Sequence, residues 1–283
     1  MIILLLTILL IPLSLFIGIA ASAIGFTAWP LIVPILFILC GFDLYLAIFS
    51  SLLVDCGNAL VMTLIAINQR QIDIRRGFVL TGFALIWIIA GILFGTTFIP
   101  DNEAFFRGSA GIVTIIIGTI FILKGIKKNR QKKNNTKPHQ NTGNKFSNPS
   151  KHRQHFIYLG VAIMAFQVGL FGIGGGMGYA IFLMLFMSFP VLKATGTAMM
   201  MTFFSTLFAA CGIFFQIPDG LLSQPTVQLL APMMVGLSMI GTAIGAKIAY
   251  SLSEQKINFL IGSIVILAGL LATAQKYILQ IIS

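Results

Sequence analysis

The sequence predicts an all-α, polytopic integral membrane protein of about eight transmembrane helices in two repeats of four. The first helix unit of each repeat is expected to be broken at mid-membrane. Three observations predict this. The 283 residues are 58% hydrophobic and 9% charged, where a soluble domain carries about 25% charged residues, and the mean hydropathy is +0.99. Charge and turn residues divide the chain into eight apolar units, 2–40, 44–66, 77–99, 104–126, 156–189, 191–217, 226–250 and 257–282. Finally, the two units too long for a single crossing both contain helix breakers.

Unit 2–40 would reach roughly 58 Å as one helix, against a hydrocarbon core of about 30 Å. Its breaker is the run from Gly25 to Pro30. Residues 1–23 resemble a secretory leader through Ala21-Ser22-Ala23, but the first basic residue is Arg70. Without a positively charged start, the segment is expected to be retained as a span. Units 44–66, 77–99 and 104–126 have single-crossing length and complete a first repeat over 1–126.

Residues 127–155 are rich in Lys, Asn, Gln and Pro without hydrophobic periodicity, and are expected to form a disordered linker. Ten of the eighteen basic residues lie between Lys124 and Arg153. The net charge of +11 is therefore local, and it marks a cytoplasmic loop rather than a nucleic-acid surface. The short loop with Arg70, Arg75 and Arg76 is two spans away and shares that side. The 100–107 connection, with Asp101 and Glu103, falls outside.

Unit 156–189, roughly 51 Å as one helix, opens the second repeat (156–283) and contains six glycines between Gly169 and Gly178. Each costs roughly 1 kcal/mol relative to alanine in a helix interior, so the backbone must leave the helix there. Irregular backbone at that depth survives only inside protein or along a polar cavity. Units 191–217, 226–250 and 257–282 are single crossings. An offset of 147 lays Gly25 on Gly172, Phe42 on Phe189, Asp43 on Pro190, Ala47 on Ala194 and Ser50 on Thr197. Gly91 and Gly95 match Gly241 and Gly245. If each broken unit makes one net crossing, the repeats are parallel and the N-terminus is cytoplasmic; if each crosses twice, the repeats are inverted.

Discontinuous helices in corresponding places point to a transporter site, with half-helix N–H groups free to hold an anion. Candidate substrate-binding residues are Gly172, Gly174, Gly175 and Gly176, with Gly25 and Thr27 at the first break. Close helix packing is the alternative for the glycines. Gln167 is an amide donor or interhelical glue. Thr195 and Thr197 offer hydroxyls to an oxyanion or cap the next helix, and Ser50 and Ser51 are weighed likewise. Asp55 is the one acid at the centre of a span, with Asn58 a turn on. A carboxylate there faces a cavity or a partner. It is either a proton-coupling group, with Asn58 beside it, or a structural tie.

Lys193 and Lys247 sit near span ends and snorkel, although Lys193 is also placed to draw an anion to an outer vestibule. Gly91/Gly95 and Gly241/Gly245 read as packing contacts. Cys40, Cys56 and Cys211 read as small buried hydrophobes. Met199-Met200-Met201 faces several directions and reads as core. All three histidines, His139, His152 and His155, lie in the basic segment, so no metal and no cofactor is expected.

The motifs together resemble the TauE/SafE family of membrane transporters, the sulfite exporter or toluene-sulfonate permease type, over nearly the whole chain apart from the linker. They are Gly172-Ile173-Gly174-Gly175-Gly176, Ala194-Thr195-Gly196-Thr197, Gln71-Ile72-Asp73-Ile74-Arg75 and Gly241-Thr242-Ala243-Ile244-Gly245-Ala246-Lys247. The resemblance implies eight helices in two repeats and transport of sulfite or organosulfonates. One departure is Gly25-Phe26-Thr27-Ala28-Trp29-Pro30, where the family often carries a second glycine cluster.

The expectation is a secondary transporter of a small anion across the cell membrane, proton coupling being one route. Its partners are the anion and the bilayer, and a homo-oligomer is left open. An anion channel or a scaffold acting through the linker is the alternative. A membrane-embedded enzyme is less well supported, because Asp55 stands alone where catalysis needs paired groups.

Overall fold

The computed structural model describes residues 2–24, 27–29, 32, 33, 36, 42–97, 115, 119, 151–218, 220–251, 263, 266 and 270. Among them are seven helices and no strand: α1 (Ile2–Ile24), α2 (Leu44–Asn68), α3 (Ile74–Thr97), α4 (Lys151–Phe171), α5 (Gly176–Phe186), α6 (Val191–Phe214) and α7 (Pro225–Ser251). α2, α3, α6 and residues 227–248 of α7 are each long and apolar enough to cross a bilayer. Large apolar side chains such as Ile86 and Leu93 stand exposed on this bundle, as a lipid-facing surface requires. The expected units 104–126 and 257–282 and linker residues 127–150 lie outside the described residues. α4 begins at Lys151, ahead of the apolar run, because Lys, Arg and Gln are good helix formers.

α2 and α6 form the centre. Asp43 starts α2 by accepting the N–H of Tyr45 at 2.8 Å, and Pro190 starts α6. The two N-caps share one backbone conformation, φ −56° and ψ 150° against φ −56° and ψ 149°. The helices run antiparallel. Phe49 near the start of α2 meets Phe214 at the end of α6, with ring centroids 5.8 Å apart. Gly196 near the start of α6 lies against Ala66 and the Gln71 carbonyl at the end of α2.

The glycine-rich unit is a hairpin. α4 leaves the helix at Gly172, whose φ of +67° is a conformation that side chains resist. The chain is irregular over 172–175 and re-forms as α5. α5 folds back along α4: Phe186 stacks on Phe156 with centroids 5.8 Å apart, Phe182 covers Gly160, and Met164 covers Gly178. Eleven residues of α5 rise about 16 Å, half of a hydrocarbon core of about 30 Å. The unit therefore turns back on itself, and the end of α5 lies beside the first half of α4.

Two further pairs run parallel. α3 lies on α4 through Phe83 with Tyr158 (5.1 Å) and Phe94 with Phe166 (5.9 Å). α1 lies on α7 with Leu15 at Gly241 and Ser22 at Gly245. Their closest backbone approaches correspond. Gly169 rests on the Ile88 carbonyl and Gly18 on the Ser238 carbonyl, while Gly91 rests on the Phe166 carbonyl and Gly241 on the Leu15 carbonyl. Members of each pair of positions are 150 or 151 residues apart, so the offset of 147 that holds for α2 and α6 is one turn short in the first helix. α3 begins beside the start of α6, with Gly77 against Met200 and Thr197. The starts of α3, α4 and α6 thus share one side, that of the 69–73 turn. α7 follows α6 through tight turns over 215–218 and 220–224 and starts on the opposite side, as does α1.

Candidate functional site

Asp55, twelfth of the 25 residues of α2, lies where the two chain breaks meet. Its side chain is buried, with the residue 3% exposed. Oδ1 accepts the backbone N–H of Ala28 at 2.6 Å, and Oδ2 accepts the hydroxyl of Thr27 at 2.5 Å. The Thr27 oxygen in turn accepts the N–H of Gly174 at 3.0 Å and, more weakly, that of Trp29 at 3.4 Å. Every hydrogen bond in this chain runs toward the carboxyl group, which is the final acceptor. A side chain at Gly174 would put its Cβ 2.5 Å from Asp55 Oδ2, so only glycine permits this approach.

The two breaks are completed differently. At the first, the Asp55 carboxylate receives the backbone where the chain restarts at Ala28 and Trp29. At the second, α5 follows Gly175 as its N-cap, and no side chain caps it. The first-turn N–H groups of a helix carry positive partial charge and need acceptors. Gly175, Gly176 and Met177 are buried, and the Tyr179 ring lies close over Gly175. The tip of the hairpin therefore presents a cradle of N–H groups with no side-chain cap, next to a carboxylate already satisfied by the other break.

Other buried polar atoms lie nearby in sequence. Ser51, Asp55 and Asn58 follow one another at about one-turn spacing along α2. Ser51 Oγ and the Trp29 indole Nε1 are buried without a hydrogen-bond partner, as is Asn58 Nδ2. Buried polar atoms normally have partners, which sets these three apart from the other buried polar side chains. Asn58 Oδ1 meets the Thr242 hydroxyl at 3.0 Å, tying α2 to α7. Tyr179 OH and Ser205 Oγ are 3.4 Å apart inside the second half.

The remaining sequence candidates separate. Gly172 packs on Ile48 and Leu52, at the hairpin tip. Gln167 is half-buried on α4, one turn before the break. Ser50 turns its hydroxyl back to the Leu46 carbonyl at 2.8 Å. Thr197 is remote from the breaks: its hydroxyl donates to the Lys193 carbonyl at 2.8 Å and accepts the Asp73 N–H at 2.9 Å. Thr195 is buried in the same first turn of α6. Gly25 lies outside the described residues. Sequence reasoning missed Trp29 and Thr242. Trp29 lies inside the first break, and Thr242 sits between the packing glycines Gly241 and Gly245, so position was the available signal in both cases. Among the described residues no cluster of three His, Cys, Asp or Glu side chains has metal-binding geometry.

A protein-family model described as sulfite exporter TauE/SafE matches residues 9–272. No match is found among curated proteins or among solved structures.

Proposed function

The chain belongs to the sulfite exporter TauE/SafE family of membrane transporters, and from that premise we propose that it is a secondary transporter of sulfite or an organosulfonate, coupled to protons through Asp55. The family's activity is transport of sulfur-containing anions rather than catalysis. The observation that carries the finer reading is the uncapped start of α5, facing a first break whose equivalent position is filled by Asp55. In this reading the substrate oxyanion accepts N–H groups from Gly175, Gly176 and Met177. Ser51 and Trp29 supply further donors, and Thr27 holds the two breaks together.

Asp55 serves as the resident anion of the first break. Protonating it removes an acceptor from Ala28 or Thr27 and loosens the Thr27–Gly174 link, and this couples proton movement to the hairpin. The halves act as two inverted repeats of four helix units, 1–126 and 156–283. The antiparallel α2 and α6 and the crossed pairing of α1 with α7 and α4 with α3 support that reading. The 69–73 turn and the basic linker lie in the cytoplasm of a cell whose plasma or inner membrane holds the protein.

Flux in proteoliposomes tests it, with a panel of sulfite, sulfate and small sulfonates, with and without a pH gradient. The expected result is saturable uptake of one sulfur oxyanion class that responds to the gradient. Channel-like, non-saturating anion leak would favour the channel alternative.

A further inference from the structure

At the base of the hairpin, on the side of the 69–73 turn, two cations share one carboxylate oxygen. Lys193 Nζ lies 3.7 Å and Arg76 Nε 3.8 Å from Asp73 Oδ2. Both cations also stand over the Phe189 ring, at 5.2 and 5.6 Å from its centroid, within cation–π range. The ring thus lies beside two like charges, and the Asp73 carboxylate stands near both. Neither ion pair reaches hydrogen-bonding distance. Side-chain exposures of 21–30% leave the group reachable yet less screened than an open surface.

Asp73 divides its work between its two oxygens. Oδ1 accepts the Arg76 N–H at 3.2 Å at the start of α3, and its backbone N–H is held by Thr197 at 2.9 Å. Oδ2 alone faces the cations. An oxyanion replacing Oδ2 would therefore leave the cap and the turn in place. Counterparts of these residues on the opposite side are uncharged: Ser223 and Thr226 stand 150 positions after Asp73 and Arg76, and Phe42 and Leu46 stand 147 before Phe189 and Lys193.

We propose that Lys193 and Arg76, backed by Phe189, form a second and weaker oxyanion site at this one face, which Asp73 occupies until a sulfur oxyanion displaces it. The site collects substrate at the foot of the hairpin whose tip holds the central cradle. It rests on the reading that the chain moves such anions. The sequence reads Lys193 as a snorkelling span-end residue or one that draws an anion to an outer vestibule; the structure puts it beside the 69–73 turn.

The test uses full-length protein in proteoliposomes sorted by orientation, with sulfite presented to one face at a time. Lys193→Gln and Arg76→Gln should each raise the half-saturating concentration at the 69–73 face by roughly two- to fivefold, the range one partly exposed ion pair supports. Asp73→Asn, which keeps a good helix cap, should lower it. All three should leave the opposite face unchanged. Equal changes at both faces, or none at either, overturn the proposal. Equilibrium binding of labelled sulfite to the purified protein separates this site from the central one. Two classes, of which Lys193→Gln removes the weaker, support both sites. One class indifferent to Lys193→Gln and Arg76→Gln overturns this site alone, and a weak class alone, lost in Lys193→Gln, overturns the central site alone.

Discussion

Gly174 donates its backbone N–H to the hydroxyl of Thr27 at 3.0 Å, across 147 positions of sequence. That separation is also the offset between α2 and α6, so the two breaks touch through corresponding residues. A residue meeting its own counterpart is what a two-fold axis between two repeats produces. The same hydroxyl donates a hydrogen bond to Asp55 Oδ2.

Thr27→Val should be costly although it is nearly isosteric. It leaves the Gly174 N–H and one Asp55 oxygen without partners, at about 1–3 kcal/mol for each orphaned buried group. Thr27→Ser should retain most of the stability. Thermal unfolding in detergent, read beside flux, checks this; equal Tm values for the Val and Ser variants would remove Thr27 from the account.

Gly174→Ala sets a Cβ 2.5 Å from Asp55 Oδ2. Overpacking of that kind costs about 1–3 kcal/mol, and transport should be lost while the protein still inserts. Gly82→Ala is the control, because nothing lies within 4 Å of the added carbon. It should match or slightly exceed the parent in stability. Full activity in Gly174→Ala would mean that the two breaks need not touch.

Asp55→Asn replaces one of two accepting oxygens with a donor that faces the Ala28 N–H or the Thr27 hydroxyl. A modest loss of stability is expected, together with sulfite flux that no longer follows an imposed pH gradient. Gradient-driven flux equal to the parent's would leave Asp55 as a structural tie.

The proposed inverted repeats predict sidedness. In a background lacking Cys40, Cys56 and Cys211, a cysteine at Arg70 and one at Ser223 should react with an impermeant thiol reagent from opposite faces. Labelling of both from the same face would contradict the antiparallel arrangement of α2 and α6.

The second break was legible because six glycines between 169 and 178 cannot remain helical, and Asp55 because no other acid sits at mid-span. The direction of the hairpin was not legible. α5 is apolar whether it continues across the bilayer or returns, and only tertiary contacts such as Phe156 with Phe186 decide. The offset of 151 in the first helix was hidden for a related reason, since one added helical turn leaves the facing pattern almost unchanged. Thr197 reads from the sequence as a hydroxyl for an oxyanion or a cap of the next helix. Its partner, the Asp73 N–H, is 124 positions away, and no local pattern announces such a pairing.

The central claim is that a sulfur oxyanion rests on the uncapped start of α5. Selenite, the heavier analogue of sulfite, locates it most directly, through anomalous scattering from an experimental structure of the protein soaked or grown with that anion. The account predicts a selenium peak about 3.5–4 Å from the backbone nitrogens of Gly175, Gly176 and Met177, as hydrogen-bonded oxygens would set it. Peaks only elsewhere, including one confined to Lys193 and Arg76, would contradict it.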